Sequence, residues 1–255
     1  MKQFLLPRQY AGEARITLSG GDFHYLARVL RMKDGDSLDA VDARGALYQM
    51  RIVRVGREEC DVQLAPREQH GAPLPAPAGP GIRITLLQCL PKGRKIDLIV
   101  RQATEAGVAR IVLLVSEHAV VRPGEDDGRV TRLRRVAREA LQQSGTPMLP
   151  EIEGPHPFSF IEGGDWGLPL LFHEKPLGEE NLHSLLAARP RAVSLLVGPE
   201  GGLSEKEVAR AQGAGFRPVH FSTGVLRVET AATFALGAVM TIMQERNAWN
   251  PAQAT

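Results

Sequence analysis

Ser194-Leu195-Leu196-Val197-Gly198-Pro199-Glu200-Gly201-Gly202-Leu203-Ser204 is the stretch whose reading decides the fold. The apolar run that closes at Val197 has the character of a buried parallel strand. It stops abruptly at Gly-Pro-Glu-Gly-Gly, which is how α/β proteins present backbone N–H groups to a ligand at the carboxyl edge of a sheet. Ser204, with Glu207 three residues on, predicts a capping box, so the loop is pinned between a strand and a fixed helix start. A second cycle follows. Phe216 to Phe221 reads as a strand, Ser222-Thr223-Gly224 as a turn, and Leu226-Arg227-Val228-Glu229-Thr230-Ala231 as the start of a long last helix. Two glycine-marked strand ends so close together are expected to line one pocket.

Working outward, the stretch before it continues the same alternation. Ile82 to Leu90, Arg110 to Val115 and Leu168 to Phe172 read as strands, and Lys95 to Ala106, Arg129 to Gln143 and Leu182 to Ala188 as helices. A βαβα order of this kind predicts an α/β fold with a mostly parallel sheet covered on both faces. Upstream, Pro66 to Gly81 holds five prolines and three glycines, a composition that packs no core and reads as a semi-rigid linker. Before the linker the pattern changes again. Gln3 to Leu6, Arg15 to Leu18, Ser37 to Val41, Leu47 to Val55 and Cys60 to Leu64 are short strand candidates, with a helical spacing over Asp22 to Leu30. Strands at short, turn-marked intervals predict a small β-barrel or barrel-like sheet. The expected domains are therefore 1–65, a linker at 66–81, and 82–255.

With 255 residues and 43% hydrophobic content, the chain is long enough for real cores in two domains. Its formal net charge of +2 is small, but the basic side chains are mainly arginine, the residue suited to planar contact with phosphates. His24, Arg28 and Arg31 follow at spacings of four and three. On the helix from Arg129, the residues Arg132, Arg135 and Arg138 recur every three positions opposite an apolar stripe. Both sets fit either RNA phosphate contacts or an ordinary solvated face. The two cysteines, Cys60 and Cys89, have no redox or metal spacing, and no apolar run reaches membrane-spanning length, so a cytoplasmic location is expected.

Several chemistries lack their signatures. The glycine loop has no Gly-Lys-Ser/Thr ending and no Gly-x-Gly-x-x-Gly fingerprint; there is no Gly-x-Ser-x-Gly elbow and no His-x-x-x-His pair, so no metal is expected. A glycine pocket without a cationic phosphate cradle points to a ligand without a phosphate tail, a description that S-adenosylmethionine fits.

Val197-Gly198-Pro199-Glu200-Gly201-Gly202-Leu203-Ser204, Leu226-Arg227-x-Glu229-Thr230-Ala231, Leu90-Pro91-Lys92-Gly93, Glu105-Ala106-Gly107-Val108 and Gln143-Ser144-Gly145 together resemble the bacterial 16S ribosomal RNA uridine-N3 methyltransferase family, one of the knotted SPOUT methyltransferases. His24-Tyr25-Leu26-x-x-Val29-Leu30-Arg31 with Asp34-Gly35-Asp36 is similar to that family's PUA-like RNA-binding domain, so the resemblance covers nearly the whole chain. It implies a trefoil knot in the C-terminal part, a homodimer, S-adenosylmethionine as cofactor and a uridine of 16S rRNA in the small ribosomal subunit as substrate.

Carried over by position, the cofactor pocket would comprise Leu171, Phe172, His173, Glu174, Gly198, Pro199, Glu200, Gly201, Gly202, Ser222, Thr223, Gly224, Val225 and Leu226. The RNA surface would include His24, Arg28, Arg31, Lys92, Arg94 and Arg101, with the ridge at Arg132, Arg135 and Arg138. Uridine N3 carries a proton, so the site needs a cation facing the base oxygens or a carboxylate to take the proton. Arg227, Glu229 and Glu200 are the catalytic candidates; each also has a structural alternative, as a loop brace or a helix cap. Two positions depart from the family pattern: Gly224 stands where an arginine is usual, and Gln102 where a lysine is usual. A tRNA or 23S rRNA methyltransferase of the same superfamily, and a non-catalytic RNA-binding assembly factor, remain alternative readings.

Overall fold

The computed structural model describes residues 3–7, 9–43, 45–67, 82–119, 128–146 and 148–248. Most of the expected linker, from residue 68 to 81, lies outside the described residues. The chain divides into two compact units. One comprises Met1–Leu74 with Leu141–Met148, and the other Pro75–Ala140 with Leu149–Thr255.

The first unit is built on β1 (Gln3–Leu5), β2 (Arg15–Ser19), β3 (Ser37–Val41), β4 (Leu47–Val55) and β5 (Glu59–Pro66), in the spatial order β1-β3-β4-β5-β2. All neighbours are antiparallel except β1 and β3. Period-2 burial is clearest in β5, where Cys60, Val62 and Leu64 point into the core beside Phe4, Leu18, Met50 and Ile52. In β4 strict alternation would carry Arg54 inward after Met50 and Ile52. A register shift between Ile52 and Arg54 restores it to the surface, where Arg54 Nε lies 3.2 Å from Asp61 Oδ2. The Asp34-Gly35-Asp36 turn is fixed by its own carboxylates: Asp34 accepts the Val55 N–H at 2.7 Å and Asp36 the Lys33 N–H at 2.8 Å.

Between β2 and β3, the apolar spacing over Asp22 to Leu30 produces a short helix α1 (Gly20–His24) that widens into a π-helical turn (Tyr25–Val29). The turn ends with the Met32 N–H donating to the Leu26 carbonyl, which places Arg31 in the left-handed region at φ 56°. The segment after residue 140 joins this unit through Gln3, a buried side chain whose Nε2 donates to the carbonyls of Leu141 and Thr146. Nothing in the local sequence announces that attachment.

The second unit holds a six-stranded sheet: β6 (Arg83–Cys89), β7 (Arg110–Val115), β8 (Glu151–Pro157), β9 (Leu168–Phe172), β10 (Ala192–Val197) and β11 (Arg217–Val219). Its order is β11-β9-β10-β6-β7-β8 and every adjacent pair is parallel. The helices are α2 (Lys95–Glu105), α3 (Arg129–Ser144), α4 (Leu182–Leu185), α5 (Glu205–Gly213) and α6 (Val228–Ala248). Successive strand residues separate into two cores. Ile84, Leu86, Ile111, Leu113, Leu170, Val193 and Leu195 pack with α2, α3, α4 and α6. Leu87, Val112, Leu114, Leu171 and Leu196 pack on the opposite side with Phe158, Ile161, Ala211 and Phe216. Burial on both faces explains why these strands read as continuous apolar runs.

β8 and the 3-10 turn Phe158–Gly163 have no counterpart in the sequence reading. β8 is an edge strand paired only to β7, and Glu151-Ile152-Glu153-Gly154-Pro155-His156-Pro157 carries the prolines, glycine and charges that an edge tolerates and a central strand does not. α4 is also shorter than the helix expected to Ala188.

Candidate functional site

The carboxyl ends of the neighbouring strands β11, β9 and β10 open onto one cavity of about 540 Å³. Its walls are three loops and two helix starts. Phe172 ends β9, and His173 and Glu174 follow it; Val197 ends β10, and Gly198, Pro199, Glu200, Gly201, Gly202 and Leu203 follow it; Phe221, Thr223, Gly224, Val225 and Leu226 follow β11. Lys95 from α2, Arg227 just before α6, and Val228 and Ala231 from α6 complete the lining.

Local chemistry fixes the β10 loop. The Gly202 N–H donates to the Pro199 carbonyl, and Gly202 itself sits at φ +68°, a conformation that glycine adopts without the side-chain clash of other residues. Ser204 and Glu207 form the predicted capping box. Glu207 does more than cap: although it is buried, one carboxylate oxygen accepts the Ser204 N–H at 3.0 Å and the other the Glu117 N–H at 2.8 Å, tying the loop after β7 to the glycine loop. His118 Nδ1 stands 3.0 Å from the Gly202 carbonyl oxygen. A Cβ at Gly201 would meet His118 Cβ at 3.2 Å, and one at Gly198 would meet Leu203 at 3.3 Å. At both positions the neighbouring side chain would have to give by a few tenths of an ångström to admit a Cβ.

The cavity is amphipathic. Phe172 and Phe221 stack at 5.4 Å, and Phe234 meets Phe221 edge-on. Opposite them lies a charge cluster. Glu200 accepts the Lys92 N–H at 3.1 and 3.3 Å and a hydrogen bond from Lys95 Nζ at 2.7 Å. Lys95 Nζ is also 3.9 Å from Glu229 Oε2, a buried oxygen that accepts no hydrogen bond from any described residue. Partial burial pushes the Glu200 carboxyl up, but the Lys95 hydrogen bond, the N–H groups of Glu200 and Lys92, and the Lys95 charge outweigh it and hold the group below the usual carboxylate range.

Two of the expected pocket residues lie elsewhere. Leu171 is fully buried in the core on the other sheet face, since it has the opposite strand parity to Leu170 and Phe172. Ser222 is exposed and outside the cavity lining. Of the three catalytic candidates, Glu200 and Arg227 line the cavity, whereas Glu229 stands behind Lys95. Arg227 is exposed and makes no ion pair or side-chain hydrogen bond with any described residue, so it does not brace Glu200 or Glu229; Lys95 is their shared cation. Lys95 escaped the sequence reading, because it lies 105 residues from Glu200 and no local spacing links them. The lining residues Val197, Leu203, Phe221, Val228 and Ala231 were also not anticipated.

Among the RNA candidates, His24, Arg28 and Arg31 are exposed on the first unit, although Arg31 lies beyond the helical turn and not on one continuous face. Lys92, Arg94 and Arg101 are exposed on the second unit. The arginine ridge is not uniform: Arg132 pairs with Asp97 through both carboxylate oxygens, Arg138 is half-buried, and Arg135 is exposed beside Glu139. Gln102 accepts a hydrogen bond from the Thr233 hydroxyl, joining α2 to α6. The described residues contain no group of three or more His, Cys, Asp or Glu arranged to hold a metal, and no helix long and apolar enough to cross a membrane.

A parallel sheet with a glycine-walled, amphipathic cavity at its carboxyl edge, preceded by a small antiparallel β unit, defines a ligand-binding α/β protein of two parts. The RNA methyltransferase domain family matches residues 79–240, and the RNA methyltransferase PUA domain matches residues 18–65. The chain belongs to the RNA methyltransferase family. It is 29% identical over 247 residues to the ribosomal RNA small subunit methyltransferase E of Synechocystis, covering 91% of this chain and 75% of that protein. A methyltransferase from Legionella pneumophila, solved in complex with S-adenosylmethionine, is 26% identical with a TM-score of 0.81, over 94% of this chain and 96% of that one. The ribosomal RNA small subunit methyltransferase E of Neisseria gonorrhoeae, at 24% identity and a TM-score of 0.80 over 95% of this chain and 98% of that one, shares the fold.

Proposed function

We propose that this protein uses S-adenosylmethionine to methylate N3 of a uridine in 16S rRNA of the small ribosomal subunit. The observation that carries the reading is the cavity itself: its β10 loop bears Gly198-Pro199-Glu200-Gly201-Gly202, and its contents suit a ligand with an aromatic ring, a cationic centre and no phosphate tail. Phe172, Phe221, Val225 and Leu226 offer apolar surface for a ring, while Glu200 and Glu174 offer negative charge to a cation. The relatives' names and the family membership support the RNA substrate.

When bound, the cofactor supplies an electrophilic methyl group. The protein supplies position and charge. Arg227, exposed at the cavity with no described partner, is the cation assigned to the uracil oxygens, where it stabilises negative charge as N3 loses its proton. Of the two carboxylates, Glu200 lines the cavity but is already bonded to Lys92 and Lys95, and Glu229 lies outside the lining with its Oε2 buried, so neither is assigned the proton. On this reading the first unit contacts RNA through His24, Arg28 and Arg31, the second adds Lys92, Arg94, Arg101 and Arg135, and the protein works in the cytoplasm. It acts as a homodimer with a knotted C-terminal part. Phe234, 45% exposed, is an apolar side chain that a second copy would cover.

The test is direct. Small subunits from a strain lacking the gene are incubated with protein and cofactor, and the product is mapped by mass spectrometry. Methylation at N3 of a single 16S uridine is expected; a methyl group on another base, on 23S rRNA or on tRNA, or none at all, overturns the reading.

A further inference from the structure

Lys95 is the one cavity cation that two carboxylates share, and the sharing is unequal. Its ammonium donates to Glu200 Oε1 at 2.7 Å and stops 3.9 Å short of Glu229 Oε2. Glu200 in turn accepts the Lys92 N–H, so the glycine loop is hooked to both the backbone and the side chain at the start of α2. Glu229 lies in the first turn of α6, and its buried Oε2 is left without a hydrogen bond among the described residues. A buried carboxylate oxygen without a donor is costly, and an ammonium within a small movement of it is the natural remedy.

We propose that Lys95 is a positioning residue of this site: its ammonium fastens Glu200, and with it the glycine loop, to the start of α2, and keeps Glu229 as its reserve partner. The role rests on the function proposed above. It divides the two carboxylates. Glu200 is a brace held ionised by Lys95, and Glu229 is the second carboxylate within reach of the same ammonium.

The other charged groups at the cavity are Arg227 at the start of α6 and His173 and Glu174 beyond β9, and His118 packs on the glycine loop from beyond β7. None of these makes a hydrogen bond or ion pair with Glu200 among the described residues, so the Glu200 titration reports on its burial, which raises it, and on the Lys95 ammonium and the Glu200 and Lys92 N–H groups, which lower it. The ionised form of Glu200 is favoured by the fold, so its contribution to stability is present at neutral pH and is lost as pH falls through the lowered folded-state value.

Carbon-13 carboxyl titration of the ligand-free protein tests this, with the Glu200 signal identified by its loss in Glu200→Gln. In the wild type its midpoint is expected below the usual carboxylate range. Lys95→Met should raise it, Lys95→Arg should keep it low because the charge remains, and Glu229→Gln should lower it by removing a neighbouring anion. Calorimetry should show the Kd for S-adenosylmethionine rising about tenfold in Lys95→Met, the usual order for losing one charged hydrogen-bond partner. A Glu200 midpoint unchanged in Lys95→Met, or raised as far in Lys95→Arg, overturns the proposal. If the wild type takes up no S-adenosylmethionine, the proposed function falls, and the titration still decides the role of Lys95.

Discussion

Of the three loops that wall the cavity, those after β10 and β11 are built on opposite principles. The loop after β10 is held from every side: its glycines face His118, Glu174 and Leu203, its turn is closed by Pro199 and Gly202, and the Ser204–Glu207 box anchors its far end. In the loop after β11, residues Ser222, Thr223, Gly224 and Val225 are all exposed, and a Cβ added at Gly224 would meet nothing within 4 Å. One wall is preorganised and the other is open. A site with such walls is expected to bind its small ligand against the fixed side and to meet a large substrate on the open side. Substitutions in the two walls should therefore damage different steps.

The largest expected effect belongs to Arg227, at the end of the open wall. Removing a donor that stabilises developing negative charge typically lowers the rate by roughly 10²- to 10³-fold. Arg227→Ala should show that loss in methyl transfer while the Kd for the cofactor, measured by calorimetry, changes by less than about threefold. A rate restored by saturating cofactor would place Arg227 with the fixed wall and break the contrast.

Gly201→Val attacks the fixed wall. The new side chain would be driven into His118, and overpacking of this kind costs about 1–3 kcal/mol. Because the strain falls on the loop that shapes the cavity, cofactor Kd should rise about ten- to a hundredfold, with the melting temperature reporting whether the fold itself suffers. Equal cofactor affinity in Gly201→Val and wild type would show that the wall yields.

How much of this was legible in the sequence follows from how local the cause is. The capping box, the β10 break and the continuous apolar strands depend on neighbouring residues, and they can be read directly. Leu171 was placed in the pocket by resemblance, yet the alternation of Leu170, Leu171 and Phe172 in one strand already separates it from the cavity face. Lys95 is a different case. Its partners come from the loop after β10 and from α6, so only the packed sheet brings them together. β8 was missed because an edge strand carries turn-like residues, and the hydrogen bonds from Gln3 to Leu141 and Thr146 span more than a hundred residues.

The contrast between held and open backbone extends to the first unit. Arg31 occupies the left-handed region that ordinarily costs a non-glycine residue roughly 1–2 kcal/mol. Arg31→Gly should raise stability by up to about 1 kcal/mol, the gain being trimmed by glycine's freer unfolded chain. If Arg31 contacts RNA phosphate, the same change should weaken RNA binding a few-fold and reduce the salt slope by about 1. Greater stability with unchanged RNA affinity would remove Arg31 from the RNA surface.

The smallest effect is expected at Gly224, where the open wall can be altered without touching the fold. The position has open space before it and no left-handed backbone, so Gly224→Arg should leave the melting temperature within experimental error. The added guanidinium would sit at the exposed lip near Arg227. There it is screened over a Debye length of about 8 Å at physiological salt. Its contribution to RNA affinity should be a gain of no more than about threefold at low salt, fading as ionic strength rises. Cofactor Kd should not change, because the fixed wall is untouched. A loss of cofactor affinity in Gly224→Arg would mean that the open wall closes over the ligand, and that the two loops act as a single clamp.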